Sequence, residues 1–173
     1  VVVEVGDKVT KFDEGMRVVA ANSAPCNECF YCKRGRQSLC ENLEDAIIGF
    51  TSPGAYAEYV KVPERIVRQN THVVPDHVAF MEAALLEPLA CVVHGIELAN
   101  VQCDDRVVVM GAGPIGLMHL QLAEKKGCGL TIVTDLSDNR LKVAKELGAD
   151  FTINARNEDQ VERVKELTKG RGA

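Results

Sequence analysis

Arg106-Val-Val-Val-Met-Gly-Ala-Gly-Pro-Ile-Gly116 decides the fold: an apolar run leads straight into Gly111-x-Gly113-x-x-Gly116. A helix-length segment follows, then Leu130-Thr-Ile-Val133 and an acid, Asp135. Strand, glycine turn, helix, second strand and terminal acid are the parts of a dinucleotide-binding unit, in its order. Gly111 turns tightly, Gly113 lets a pyrophosphate approach the backbone, and Gly116 leaves room where the helix crosses the sheet. Pro114 falls in the first helical turn, where its missing N–H removes no helical bond. The free N–H groups there favour a phosphate. Asp135 lies 24 residues beyond Gly111, near the usual spacing of about twenty. A carboxylate there accepts bonds from a free ribose 2′-hydroxyl and repels a 2′-phosphate, which favours NAD over NADP. The alternative is a phosphate-free α/β turn with Asp135 as an ordinary strand-end acid.

Downstream, Pro114 to Lys126 reads as a crossover helix with Ile115, Met118 and Leu122 in its buried stripe. Ser137 or Asp138 can cap a second helix carrying Leu141, Ala144 and Leu147, stopped by Gly148. Phe151-Thr-Ile153 is a third strand, and Glu158–Thr168 a third helix with Val161, Val164 and Leu167 in step. This β-α-β-α-β-α order is one mononucleotide-binding half of a doubly wound parallel sheet. Arg140 is either a solvated helix residue or a donor near the adenosine ribose.

Upstream, Val1–Val5, Met16–Ala21, Ile47–Phe50 and Ala55–Val62 read as short strands punctuated by Gly and Pro, a small barrel or sandwich. Among them lies Cys26-x2-Cys29-x2-Cys32-x7-Cys40. Four thiolates in one compact loop can surround a tetrahedral ion, and all-sulfur ligation without an open position indicates structural zinc. An iron–sulfur cluster, a redox dithiol or inert cysteines are the other readings. Lys33, Arg34 and Arg36 add positive charge that partly offsets four thiolates. The remaining thiols, Cys91, Cys103 and Cys128, read as small buried hydrophobes.

From Val73-Val-Pro-Asp76 the chain turns helical through Ala79–Leu86, is interrupted at Pro88, and resumes over about Leu89 to Leu98. Cys91, Val92, Gly95 and Leu98 are expected to pack. Glu87, set between Ala-Leu-Leu and Pro-Leu-Ala-Cys, is poorly placed for solvent and is either a surface acid or a site residue. His94 reads as an ordinary helical histidine, and His72, His77 and His119 form no ligand pattern.

The 173 residues, 46% hydrophobic and 26% charged, are those of a globular chain able to hold one domain or two small units. A net charge of −5 without a basic patch argues against nucleic acid as a partner. No apolar run approaches eighteen residues and no signal-peptide pattern opens the chain, which points to a cytoplasmic protein away from membranes. An opening read as mid-strand and a stop at Gly170-Arg-Gly-Ala173, where another strand is expected, look like those of a chain cut at both ends.

The four-cysteine loop, Gly54-Ala-Tyr-Ala-Glu-Tyr-Val60, Glu87-Pro88-Leu89 and Val109-Met-Gly-Ala-Gly-Pro-Ile-Gly116 occur in the order found in medium-chain zinc-dependent dehydrogenases, and nearly the whole chain resembles that family. Glu87-Pro88 with Asp135 and Arg140 is similar to the sorbitol and threonine branches. The resemblance implies an α/β chain: part of a GroES-like β-rich catalytic domain (1–95, zinc loop 25–41), then the first half of a Rossmann domain (96–173). It implies structural zinc on Cys26, Cys29, Cys32 and Cys40, and NAD contacts from Ile115, Asp135 and Arg140 beside Gly111, Gly113, Pro114 and Gly116. Glu87 would stand at the position of an acid lining a catalytic zinc, bound to it directly or through water or substrate. The implied activity is hydride transfer from a secondary alcohol or polyol to NAD in a homo-oligomer, dimer or tetramer. The family's remaining catalytic-zinc ligands and its Ser/Thr proton relay match nothing in these residues, so the fragment is expected to be inactive alone. The alternatives are a threonine dehydrogenase-like enzyme, a non-catalytic zinc- and nucleotide-binding module, and a zinc-free quinone reductase relative, which the complete cysteine loop opposes.

Overall fold

A computed structural model describes residues 1–173, apart from the side chain of Ala46. It divides into two compact units, Val1–Leu86 and Glu87–Ala173.

In the first unit β1 (Val18–Ala20) pairs antiparallel with β2 (Thr71–Val73), Val19 opposite His72. The helix α1 (Glu64–Gln69) leads into β2 and buries Ile66 completely. A four-residue α2 (Phe80–Ala83) follows. Arg17 ties the chain after β2 back to β1, donating to the carbonyls of Val78 at 2.6 Å and Pro75 at 3.3 Å. Its guanidinium lies 4.4 Å from the Phe80 ring centroid, which adds a cation–π contact.

The β pattern read upstream is largely corrected. Val1–Val5 forms no strand: Val2 donates to Met16 and accepts from Gly15, each at 2.9 Å, and the pairing goes no further. Met16–Ala21 contracts to β1. Ile47–Phe50 is a turn in which the N–H groups of Phe50, Thr51 and Ser52 converge on the Ile47 carbonyl. Ala55–Val62 has no ladder partner among the described residues. β propensity alone does not make a strand, because each backbone group needs a partner. Conversely, α1 and β2 escape a sequence reading because six and three residues carry too little periodicity.

The second unit matches its expected element order. After α3 (Leu86–Leu98) come β3 (Arg106–Met110), α4 (Pro114–Lys125), β4 (Leu130–Asp135), α5 (Asp138–Glu146), β5 (Phe151–Asn154) and α6 (Gln160–Leu167). The sheet is parallel in the order β3-β4-β5, with Met110 opposite Thr134 and Asp135 opposite Asn154. Val109, Ala112, Leu120, Val133, Leu141, Ala144 and Ala149 form its core. Four of the six β4 residues are buried, as a strand flanked on both sides requires.

Several facings differ from expectation. In α4 the buried residues are Leu120 and Ala123; Met118 and Leu122 are half-buried and Ile115 is exposed. In α3 Val92 and Ile96 are buried, whereas Cys91 and Leu98 are exposed. That helix starts before Pro88 because a proline in the first turn forfeits no intrahelical bond. Cys103 is exposed and Cys128 half-buried, so none of the three isolated thiols is a core hydrophobe. The N-cap of α5 is Ser137, with no side-chain capping bond. Asp159 caps α6, accepting from the N–H groups of Val161 and Glu162.

Candidate functional site

Where β3 ends, Gly111 adopts φ +104°, the left-handed region that a side chain disfavours. Its N–H donates to the Thr134 carbonyl at 2.7 Å and so ties the turn to β4. Gly113 then caps α4, with Pro114 at its first position. A Cβ on Gly116 would overlap the Gly111 carbonyl oxygen, so this glycine is what allows the helix to start so close to the strand. The arrangement suits a phosphate group: unpaired helix-start N–H groups stand beside open space at Gly113.

Asp135, at the tip of β4, braces this turn. Its Oδ2 accepts from the Ala112 N–H at 2.8 Å and its Oδ1 from the Ser137 N–H at 2.9 Å. Arg140 Nη1 lies 3.8 Å from Oδ2. The Ala112 N–H foremost, then the Ser137 N–H and Arg140, holds the carboxyl below its ordinary value against the opposing effect of burial. A carboxylate offers about four acceptor positions, so two bonds leave room for ribose hydroxyls.

A cavity of about 600 Å³ opens beside this carboxylate, with Gly111, Asp135, Arg140, Arg156 and Gln160 in its wall. Gly113, Pro114, Ile115 and Gly116 are not in that wall; they form the turn and helix start next to it. Arg156 and Gln160 were missed by sequence reasoning. The usable signal was their place just beyond the third strand, whose end lies beside Asp135 in register.

In the first unit the ligand sulfurs of Cys26, Cys29, Cys32 and Cys40 all lie within 4.8 Å of one another. Cys26 and Cys32 are 4.0 Å apart, close to the roughly 3.8 Å edge of a tetrahedron with 2.3 Å Zn–S bonds. The Cys26 N–H points at Cys40 Sγ at 3.3 Å and the Cys29 N–H at Cys26 Sγ at 3.4 Å, an arrangement that stabilises thiolates. The Glu28 N–H foremost lowers the Cys26 thiol to about 6, and the Cys32 N–H foremost lowers Cys29. Burial pushes Cys32 up to about 12. A buried thiol that resists ionisation beside thiols that favour it is a site completed by a cation, and the four residues fit zinc. Gln69 of α1 anchors the loop, accepting from Asn27 at 2.8 Å and donating to the Pro25 carbonyl at 3.2 Å. Arg34 stacks on Phe30, its guanidinium 3.6 Å from the ring centroid, as well as adding charge.

Glu87 is exposed in the first turn of α3, as the surface-acid alternative expected despite its apolar neighbours in sequence. Helix geometry turns it away from the buried Val92–Ile96 face, and its Oε1 accepts from Cys91 Sγ at 3.5 Å. Among the described residues, only the four cysteines bring three or more metal-ligating side chains together.

A thiolate cluster in one unit and a glycine turn braced by a strand-end acid in the other define the zinc-containing, nucleotide-binding class of α/β proteins. The alcohol dehydrogenase GroES-like domain family matches residues 1–76, and the zinc-binding dehydrogenase family matches residues 114–173. The sorbitol dehydrogenase of Bacillus subtilis (strain 168) is 36% identical over 170 residues, 97% of this chain and 46% of that protein. An Escherichia coli oxidoreductase/dehydrogenase of unknown specificity superposes with a TM-score of 0.88 at 34% identity, covering 99% of this chain and 48% of that one. A Sinorhizobium meliloti putative zinc-binding dehydrogenase, solved bound to NADP, gives 0.83 at 34% identity, covering 92% and 45%. The chain belongs to the zinc-dependent medium-chain alcohol and polyol dehydrogenases. It spans about half the length of the curated relatives it matches.

Proposed function

We propose that the protein containing this chain is a zinc-dependent dehydrogenase of the polyol (sorbitol-type) group, oxidising a secondary alcohol with NAD as hydride acceptor. The observation that carries this is Asp135: a strand-tip carboxylate tied to the glycine turn and lining the cavity beside it. The start of α4 would take the pyrophosphate, while Asp135 and Arg140 would hold the adenosine ribose. Ile115, half-exposed on the first turn of α4, would lie against the cofactor. Cys26, Cys29, Cys32 and Cys40 would hold a zinc that shapes their loop and takes no part in the reaction.

Bound NAD would supply the hydride acceptor, and a second zinc would supply the Lewis acidity that makes the substrate hydroxyl easier to deprotonate. Glu87 would line that second zinc, accessible as it is on α3. A catalytic zinc needs about three protein ligands, which Glu87 alone cannot provide, so turnover would belong to the whole protein and residues 1–173 alone would be inactive. A homo-oligomer, dimer or tetramer, in the cytoplasm completes the proposal. It is supported by the family and by the finding that no described helix is long and apolar enough to cross a membrane.

The test is a rate panel on the full-length, zinc-replete protein: polyols, threonine and simple alcohols, each with NAD. The expected outcome is NAD-dependent oxidation of a polyol, with kcat lowered by Glu87→Ala while the cysteine-bound zinc is retained. No oxidation of any secondary alcohol would refute it, and threonine as the preferred substrate would move the protein to the threonine branch.

A further inference from the structure

Arg156 shares the cavity wall with Asp135 and Arg140, and its place there is fixed by the backbone. Asn154, the last residue of β5, donates from Nδ2 to Asp138 Oδ1 at 2.6 Å, at the start of α5. The same side chain accepts the Arg156 N–H on its Oδ1 at 3.0 Å. Ala155 in turn donates its N–H to the Asp135 carbonyl at 3.1 Å. The loop leaving β5 is therefore held to both β4 and α5, and Arg156 stands two residues beyond the partner of Asp135 in the sheet register.

The charges are not balanced. Arg140 faces Asp135 at 3.8 Å, but Arg156 forms no ion pair among the described residues. One acidic and two basic residues line the wall, which leaves one positive charge in excess. A guanidinium fork matches a phosphate, which it can bind through two parallel hydrogen bonds.

We propose that Arg156 is a cofactor-discriminating residue whose guanidinium binds a phosphate on the ribose 2′ position, so that the site takes 2′-phosphorylated dinucleotides as well as NAD. This rests on the reading of the cavity as the adenosine-ribose site. Asp135 disfavours the 2′-phosphate and Arg156 offsets that penalty, so the preference for NAD is narrower than the carboxylate alone would set.

The experiment compares 5′-AMP with 2′,5′-ADP, which differ only in the 2′-phosphate, by calorimetric titration of the full-length protein and its Arg156→Gln variant. The Asn154 bond to the residue 156 backbone survives that substitution, so the loop keeps its course. Expected are binding of both nucleotides by the wild type, about tenfold weaker 2′,5′-ADP binding in the variant, and AMP binding changed less than about twofold. Raising salt to about 0.5 M should weaken 2′,5′-ADP in the wild type more than in the variant. Unchanged 2′,5′-ADP binding in Arg156→Gln, or equal weakening of both nucleotides, would overturn the proposal while leaving the adenosine site in place. A wild type that binds neither nucleotide would overturn both.

Discussion

Replacing Asp135 by Ala removes, in one step, the acceptor of two backbone N–H groups and the proposed ribose ligand. The Ala112 N–H loses its 2.8 Å bond, and Ala112 is 2% exposed, so water does not readily take the place of the carboxylate. A buried donor left without a partner costs about 1–3 kcal/mol. The Ser137 N–H, in a half-buried residue, can recover a water bond. The expected loss is therefore about 2 kcal/mol for Asp135→Ala and about 1 kcal/mol for Asp135→Asn, which keeps one acceptor oxygen. With no tryptophan in the chain, urea unfolding followed by circular dichroism is the assay, with hydrogen exchange over β3–β5 locating the change. The pH dependence supplies an independent check. The folded carboxyl lies below its ordinary value, so its contribution is complete above the unfolded pKa of about 3.9 and is lost as pH falls through the folded value. The gap between wild type and Asp135→Ala should hold at neutral pH and close in acid. A gap under about 0.5 kcal/mol at pH 7, or one that persists unchanged in acid, would refute the bracing role.

Three further outcomes test the remaining parts. The purified protein should carry zinc on the four cysteines, and Cys32→Ser should lose it along with hydrogen-exchange protection over residues 25–41. The same zinc should be released on acidification, because binding requires thiolates and protons displace the ion as pH falls; thiol-protected protein devoid of metal at neutral pH would contradict the assignment. Gly116→Ala places a methyl group on the Gly111 carbonyl oxygen and should destabilise the second unit by about 1–3 kcal/mol in urea, with weakened AMP binding. A neutral effect would show that the turn and α4 can separate without cost.

The sequence was most legible where several signals coincide. Gly111, Gly113 and Gly116 fall between an apolar run and a helical period, and the expected parallel order of β3, β4 and β5 is the observed one. The cysteine spacing likewise foretold a cluster that the fold closes to within 4.8 Å. Legibility failed where a single preference had to stand for a partner. Ala55–Val62 has strand-like composition and no partner strand among the described residues. Ile115 is apolar at helical spacing, yet the first turn of α4 presents it outward, half-exposed, because the packing face is set by Leu120 and Ala123. Glu87 lies among apolar residues in sequence, but a helix turns neighbours about 100° apart, and Leu86 and Leu89 are exposed with it.

Arg156 marks a different kind of limit. The rule that an acid at the second strand's tip favours NAD concerns one side chain, and it is correct about that side chain's chemistry: a carboxylate accepts hydroxyls and repels phosphate. A cavity discriminates by the sum of the charges around it. Here both carboxylate oxygens already accept backbone N–H bonds and a guanidinium stands 3.8 Å away, which weakens the repulsion a free carboxylate would exert. The second guanidinium comes from a loop 21 residues further along the chain, brought back by the parallel crossover and held by Asn154. No local motif contains that residue, because its relation to Asp135 exists only once β5 has paired with β4. On the proposed reading, cofactor choice in this site would be a property of the sheet register, with Asp135 supplying one part of it.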